Sequence, residues 1–240
     1  VERRQVVRLA LLAALAGQHT LLIGPPGTAK SELARRLHRA FREARYFERL
    51  LTRFSVPEEL FGPLSISALE ADRYERQTAG FLPEASIAFI DEVFKANSAI
   101  LNALLTLLNE REFDNGSRRQ PCPLISVIGA TNEVPDDEVG EAFFDRFLLR
   151  LPVGPVSPPG FADLLALAPA APTGVGEGAG HSAFALDAAD RQALNAAAAG
   201  VTVPPPITGL LGELRGALAD EGGYVSDRRW VKTVWLLRVA

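Results

Sequence analysis

The chain has 240 residues, 48% of them hydrophobic and 22% charged, which at ~150 residues per domain allows one large domain plus a small one and excludes a globally disordered chain. With 25 basic and 29 acidic residues the formal net charge is −4, which excludes a bulk electrostatic attraction to nucleic acid or to an acidic membrane face. The single cysteine, Cys122, excludes an internal disulfide, and we interpret it as incidental.

The first part of the chain alternates helix and strand signals. Apolar spacing predicts a helix over residues 6–15, and the apolar run at 20–23 predicts a buried strand. A long amphipathic pattern predicts a helix over 30–47, followed by a second strand over 50–54. We expect residues 55–86 to be irregular.

The middle of the chain continues the alternation. The expected elements are, in order, turns at Gly62–Pro63 and around 80–83, a third strand at 87–90, a helix at 97–108, a fourth strand at 124–129, a short helix at 138–144 and a fifth strand at 147–151. This alternation predicts an α/β fold with a parallel sheet between helices, which binds ligands beyond the carboxyl ends of its strands.

The composition changes after residue 151. Residues 152–182 contain six prolines and six glycines, which indicates a linker with a flexible loop. Only helical patterns follow, at 187–199, 207–220 and 226–239. They predict a small all-helical second domain.

A phosphate-binding loop joins the first strand to the long helix. Its residues, which fit G-x-x-x-x-G-K-[ST] except for alanine at the second glycine, are Gly24, Pro25, Pro26, Gly27, Thr28, Ala29, Lys30 and Ser31. Backbone N–H groups at such a helix start favour an anion, Lys30 can reach the outer phosphates, and the Ser31 hydroxyl can bind Mg²⁺. Ala29 carries no strain if its φ is negative. The alternative is a chance Gly/Pro turn.

Two acids follow the predicted strand at 87–90. Asp91 at the strand's carboxyl end can hold Mg²⁺, and Glu92, which points elsewhere, can accept a proton from a nucleophilic water or orient it. The alternative is an acidic pair that caps the next helix.

The motifs together resemble the MoxR family of AAA+ ATPases, and within it most closely the RavA (regulatory ATPase) subgroup. The segments that carry the resemblance are GPPGTAKS from Gly24, FGPLSI from Phe61, GFLPEA from Gly80, IDEVFKANSAILNALLTLLNER from Ile90, GATNE from Gly129, DRF from Asp145 and SDRRW from Ser226. The resemblance implies a nucleotide-binding AAA+ domain over 1–151, a linker at 152–160 and a helical lid over 161–240 that is cut short at Ala240.

The resemblance also implies three further site residues. Asn132 would be the first sensor, with an Asx turn before Pro135 as the alternative. Arg146 would be the arginine finger that reaches a neighbouring subunit's nucleotide, with a surface ion pair as the alternative. Arg228 would be the second sensor; adjacent Arg229 is a rival, and a solvated basic pair is the alternative for both.

A ring, commonly a hexamer, is implied as well, with a loop inserted over 63–82. Arg73, Tyr74 and Phe81 would face the central pore or would be ordinary surface residues. MoxR proteins are similar to chaperone-like remodelling motors, and the resemblance implies a partner with a von Willebrand factor A domain.

Other signals bound the interpretation. His19, His38 and His181 lack ligand spacing, so we predict no zinc site. No run of ~18 uncharged apolar residues is present, so we expect no membrane span. The single cysteine fits a reducing compartment, and we expect a cytoplasmic location. Methionine is absent, so we expect a fragment or a processed form.

The leading hypothesis is an oligomeric, Mg²⁺-dependent ATPase that binds ATP and ADP and remodels or regulates a protein partner. Two alternatives stay open. One is a nucleic-acid motor or loader on the same scaffold, against which the negative charge counts. The other is a binding module that nucleotide switches without fast hydrolysis.

Overall fold

The structure is a computed structural model, which describes residues 2–135, 138–166 and 185–240. The strands are, in chain order, β1 (His19–Ile23), β2 (Tyr46–Leu50), β3 (Ile87–Asp91), β4 (Glu112–Asn115), β5 (Arg118–Pro121), β6 (Ser126–Thr131) and β7 (Phe147–Pro152). The helices are α1 (Arg4–Leu15), α2 (Lys30–His38), α3 (Glu58–Phe61), α4 (Ile66–Glu70), α5 (Ser98–Glu110), α6 (Glu138–Phe144), α7 (Phe161–Ala166), α8 (Ala188–Ala199), α9 (Pro205–Asp220) and α10 (Asp227–Val239). Short 3₁₀ helices lie at Leu82–Glu84 and Val93–Lys95.

Five strands form one parallel sheet in the order β2-β3-β6-β1-β7, which confirms the predicted α/β fold. Alternate side chains of each strand enter opposite hydrophobic clusters, as the two-residue period of a strand requires. Leu21 and Ile90 pack in the cluster that holds α5, whereas Leu22 and Phe89 pack in the cluster that holds α1 and α2. Both faces of the sheet are therefore covered by helices.

The predicted helix over 30–47 is too long, and the predicted strand at 50–54 is misplaced. α2 ends at His38, and the second strand is β2, the edge strand of the sheet. In β2 only Phe47 is buried, and Glu48 accepts two hydrogen bonds from Arg35 of α2 at 2.9 and 2.8 Å. An edge strand that carries such charges lacks the apolar run by which a buried strand is recognised.

A second sheet, the antiparallel hairpin β4–β5, was not predicted. Asn115 pairs with Arg118, so the turn has two residues and begins at Gly116, which has φ +64°. Glycine at the first position of a two-residue turn is a hairpin signal. Asn115 also accepts a hydrogen bond from the backbone N–H of Arg76 at 2.6 Å and donates to its carbonyl at 3.1 Å, which ties the hairpin to the 63–82 segment.

The remaining predicted helices and strands are confirmed, with boundaries that shift by at most two residues. The turns at Gly62 and Gly80 have positive φ, and two short helices, α3 and α4, interrupt the segment that was expected to be irregular. The three helices after residue 185 match the predicted helical patterns. The boundaries at 151 and 160 stay predictions.

His19 is a buried structural histidine at the start of β1. Its Nδ1 accepts a hydrogen bond from the Val127 N–H at 3.0 Å, so the proton is assigned to Nε2, which lies 3.1 Å from the Leu108 carbonyl. Burial, and secondly the charge of Arg111, hold the pKa of His19 well below its usual value of 6.5. The Nε2 atom of His38 is 2.6 Å from the Ala44 carbonyl oxygen. His181 lies outside the described residues.

We predict that the free energy of unfolding falls as the pH drops below about 6.5, since the unfolded chain then binds a proton that native His19 does not. This stability is fully present above that pH. The variant His19→Gln is expected to be less stable overall but to lose most of the slope between pH 7.5 and 5 in urea unfolding. The control His38→Gln leaves His19 in place and should keep the slope. If this control also lost the pH dependence of stability, His19 would not be its source.

Candidate active site

The carboxyl ends of β1, β6 and β3 meet at one edge of the sheet. Ile23 lies opposite Thr131, and Ile90 lies opposite Gly129, so the residues that follow these three strands are at the same level. The Gly24 N–H extends the pairing with a 2.9 Å hydrogen bond to the Thr131 carbonyl. This edge therefore carries the phosphate loop, the two acids and Asn132.

The phosphate loop is anchored by its own backbone and by β7. A Cβ on Gly24 would lie 2.1 Å from the Val153 carbonyl oxygen, so only glycine fits there. The Thr28 hydroxyl donates to the Pro25 carbonyl at 3.0 Å. The Gly24–Thr131 and Thr28–Pro25 hydrogen bonds restrain the loop directly before α2, where backbone amides favour an anion.

Lys30 is the buried cation of the loop. Its side chain is inside the fold, with the residue 7% exposed, and its Nζ donates to the carbonyls of Gly24 and Pro25 at 2.9 Å each. No carboxylate pairs with it in the described part of the chain. A buried ammonium that only carbonyl oxygens satisfy favours an anion close by.

Ala29 differs from the expectation of a negative φ. It has φ +64° and ψ +32°, the left-handed conformation, immediately before α2. The glycine of the generic motif adopts this conformation freely, whereas a non-glycine residue there carries ~1–2 kcal/mol of strain. The loop thus holds a strained residue at its junction with the helix.

Asp91 is the last residue of β3, and the chain leaves the strand at Glu92 in a left-handed conformation. Asp91 Oδ1 accepts the backbone N–H of Glu92 at 3.1 Å, and Glu92 has φ +51°. Glu92 directly precedes the 3₁₀ helix Val93–Lys95, but its side chain forms no capping hydrogen bond there. At α5 the capping role is filled by Asn97, which accepts the Ile100 N–H at 3.0 Å.

The Glu92 carboxylate is mostly enclosed. Its side chain is 18% exposed, and Oε2 is buried, lacks a hydrogen-bond partner and lies 3.5 Å from Lys95 Nζ. An enclosed carboxylate oxygen with a free acceptor position can hold a water molecule or take up its proton.

The residues predicted to bind Mg²⁺ fit that ion. Ser31 lies in the first turn of α2, and the half-buried Asp91 carboxylate keeps Oδ2 free of described partners. Mg²⁺ takes one or two protein oxygens and completes its shell with water and phosphate oxygens. The Ser31 hydroxyl and the Asp91 carboxylate, at the same sheet edge, would supply these two oxygens.

Asn132 is exposed, and no hydrogen bond among the described residues forms the Asx turn that was the alternative to the sensor role. The turn after β6 is made instead by the Thr131 hydroxyl, which donates to the Glu133 carbonyl at 2.7 Å and accepts its N–H at 3.1 Å. The Asn132 side chain forms no hydrogen bond in the described part of the chain, so its amide is available to a ligand.

A cavity of roughly 340 Å³ beside the phosphate loop was not predicted. Besides the loop residues it is lined by Arg3, Pro155, Val156 and Leu164. Arg3 donates to the Gly154 carbonyl, and Glu2 accepts the Ser157 N–H at 2.8 Å, so the N-terminal segment is held against the segment after β7. The sequence did not indicate this cavity, because Pro155 and Val156 lie in the predicted linker and belong to no motif.

The predicted arginine finger and second sensor lie at the opposite, amino edge of the sheet. Arg146 directly precedes β7, and its Nη1 lies 3.5 Å from Asp145 Oδ2 while its Nε is buried without a partner. Arg228 is exposed, and its Nη1 lies 3.5 Å from the Asn109 side-chain oxygen at the end of α5.

Arg229, the rival of Arg228, faces the protein interior. It donates to the Leu148 carbonyl at 3.1 Å, and its Nε lies 4.0 Å from Asp145 Oδ1. Its side chain is only 16% exposed, so it holds α10 on β7. This arrangement favours Arg228 as the residue that is free to contact a ligand.

The three residues of the 63–82 segment that were predicted to face a pore or the surface differ in their exposure. Tyr74 is exposed, and Arg73 pairs with Glu75 at 3.0 Å. Phe81 is partly buried and packs against the core cluster that holds α5.

Comparison with known proteins shows that most of this chain is similar to known sequences. Residues 1–173 match a family model described as the MoxR domain in the MoxR–vWA–beta-propeller ternary systems. Two uncharacterized proteins of Methanocaldococcus jannaschii are 54% and 53% identical over 151 residues, 62% of this chain and 40% of each relative. The chaperone MoxR1 of Mycobacterium tuberculosis is 30% identical over 66% of this chain and 42% of its own.

A solved structure resembles the whole fold. It belongs to a Cytophaga hutchinsonii protein assigned as an ATPase and matches with a TM-score of 0.68 at 19% identity, over 92% of this chain and 66% of the other. The matched part of this chain covers about two fifths of the length of the Methanocaldococcus jannaschii and Mycobacterium tuberculosis relatives. No helix in the described residues is long and apolar enough to cross a membrane.

We predict that Ala29→Gly preserves the fold and raises the free energy of unfolding by up to about 1 kcal/mol, because glycine relieves the left-handed strain at some cost in unfolded-state entropy. Ala29→Val should lower it by more than about 1 kcal/mol, since a β-branched residue is a genuine outlier at positive φ. The matched control Ala34→Gly, inside α2, should be destabilising by about 1 kcal/mol or more in urea unfolding. Equal effects of the two glycine variants would contradict the strained geometry.

Proposed function

Because the chain belongs to the family of MoxR domains found in MoxR–vWA–beta-propeller systems, we propose that it is the ATP-binding and ATP-hydrolysing unit of an AAA+ protein with a chaperone-like role. The observation that carries this proposal is the buried, carboxylate-free Lys30 at the same sheet edge as Asp91 and Glu92. β3 is two strands from β1, which at about 4.8 Å per strand separates the acids from the loop by roughly 10 Å. That spacing leaves room for a phosphate chain and a water.

Each residue of this edge has a distinct role in the proposal. The amides of residues 27–31 and the Lys30 ammonium bind the phosphates, and the cavity beside the loop accepts the nucleoside. Ser31 and Asp91 would hold Mg²⁺, which when bound neutralises phosphate charge. Glu92 orients the attacking water and takes up its proton, and Asn132 helps to fix that water.

Arg146 is proposed to act on the nucleotide of a neighbouring copy. It lies before β7, whose six residues separate it from the phosphate loop by about 20 Å at ~3.3 Å per residue. An arginine side chain does not cover that distance within one chain. Since Arg228 lies at the same edge, we extend the proposal to both residues, with Arg228 as a second sensor that acts on the nucleotide of the neighbouring copy.

A ring follows from residues that act across subunits, and a hexamer is the proposed size. The family model places MoxR domains in systems with von Willebrand factor A domains, which supports a partner of that kind. The RavA-like subgroup, the cytoplasmic location, and the division at residues 151 and 160 are part of the same proposal.

We predict that Glu92→Gln lowers ATP hydrolysis at least about 100-fold, because the amide cannot take up the proton of the attacking water. Binding of ATP, measured by calorimetry, should change less than about threefold. The control Glu133→Gln, at the same sheet edge, should keep most of the activity in a phosphate-release assay. Unchanged hydrolysis in Glu92→Gln would refute the assigned role.

We predict that Arg146→Ala also abolishes hydrolysis, by ~10³-fold, while ATP affinity of the isolated chain stays unchanged, because the residue acts on another copy's phosphates. Phosphate release should rise more than linearly with protein concentration in the wild type and stay flat in the variant. The control Arg150→Lys, which keeps the charge near Phe144, should retain activity. Activity proportional to concentration in the wild type would contradict action across subunits.

A further inference from the structure

Lys232 lies beside the two arginines of the amino edge. It is one helical turn beyond Arg228 on α10, and residues four apart lie on the same helix face, about 6 Å along the axis. At the start of the same helix, Ser226 and Arg229 both contact Asp145, the carboxylate that pairs with Arg146. Lys232 is one helical turn beyond Arg229, so Arg146, Arg228 and Lys232 are gathered at this place.

Among the described residues, Asp145 is the carboxylate that acts on these cations, and it is already engaged. Asp145 accepts hydrogen bonds from the Ser226 hydroxyl at 3.2 Å and 3.1 Å, one to each oxygen. The same oxygens lie 3.5 Å from Arg146 and 4.0 Å from Arg229. Within the described residues, Lys232 itself has neither a hydrogen bond nor an ion pair. Its charge is left uncompensated.

The titration of the cluster reflects this excess of positive charge. Burial, and then the charges of Arg228, Arg111 and Arg146, lower the pKa of Lys232, whereas Asp145 acts in the opposite direction. Burial and Arg228 likewise lower the pKa of Arg146. An arrangement that keeps half-buried cations together without counter-charges destabilises the folded chain unless an anion binds there.

We propose that Lys232 is a third trans-acting cation, which together with Arg146 and Arg228 binds the polyphosphate of the nucleotide held by a neighbouring copy. The proposal rests on the proposed function and adds a residue outside the recognised motifs. Arg229 does not share the role, because it is bound to the Leu148 carbonyl inside the fold. The ligand class is a nucleoside triphosphate, whose charge the uncompensated cluster can neutralise.

The test mixes two variants of low activity, Lys232→Gln and Glu92→Gln, and asks whether they complement each other. Lys232→Gln alone is expected to lower hydrolysis by about tenfold to a hundredfold, as loss of one pre-placed donor to a charged transition state does. Mixed one-to-one with Glu92→Gln, it should recover activity: a head-to-tail interface that joins an intact Glu92 to an intact Lys232 arises at roughly a quarter of the sites. No recovery would overturn the proposal.

Three further measurements separate this role from a structural one. Lys232→Gln should unfold at the same urea concentration as the wild type or a higher one, since an uncompensated cation is removed; a lower midpoint would count against the proposal. Lys232→Arg should restore most of the activity, and the control Arg215→Gln, on the exposed face of α9, should leave it unchanged. A wild type without hydrolysis would refute the proposed function itself, whereas recovery for Arg146→Ala but not for Lys232→Gln would refute only the role of Lys232.

Discussion

Parallel pairing of β6 with both β1 and β3 is the constraint on which the candidate site depends. It places Ile23, Thr131 and Asp91 at one edge, so every residue that follows these strands faces the same region. The hydrogen bond from Gly24 to Thr131 carries this register into the loop. A shift of one residue between β1 and β6 would send Leu21 and Leu22 to the wrong faces, so the hydrophobic core fixes the geometry of the site.

The two edges of the sheet carry complementary incomplete sites. Within the described residues the carboxyl edge has the loop cation Lys30 and two acids, of which Glu92 pairs with Lys95, whereas the amino edge has several cations around Asp145. Strands of five or six residues keep the two edges apart within one chain. On the proposed function, the physical reason for assembly is that each edge supplies the charges that the other lacks.

The sequence was most informative where chemistry and local structure agree. The phosphate loop, Asp91 and Glu92 could be predicted because a strand, a residue pattern and a helix occur together at each place. β2 could not, since an edge strand needs only Phe47 to be buried and spends its other positions on charges such as Glu48. The cavity beside the loop depends on Arg3 and Val156, which are distant in sequence and carry no motif. The converging cations of α10 and β7 depend on tertiary packing in the same way.

Backbone strain lies on both sides of the candidate site. Ala29 and Glu92 each adopt a left-handed conformation, and neither is glycine. At Ala29 the conformation sets the direction in which α2 begins, and at Glu92 it turns the carboxylate away from the course that a continuing strand would give it. Each such residue costs about 1–3 kcal/mol, which the surrounding packing has to offset. Lys232 shows the same trade-off in electrostatic form, since its half-buried ammonium group forms no ion pair within the described residues. Strain and uncompensated charge thus lie where the proposed chemistry needs them, on the loop, the acid and the opposite edge.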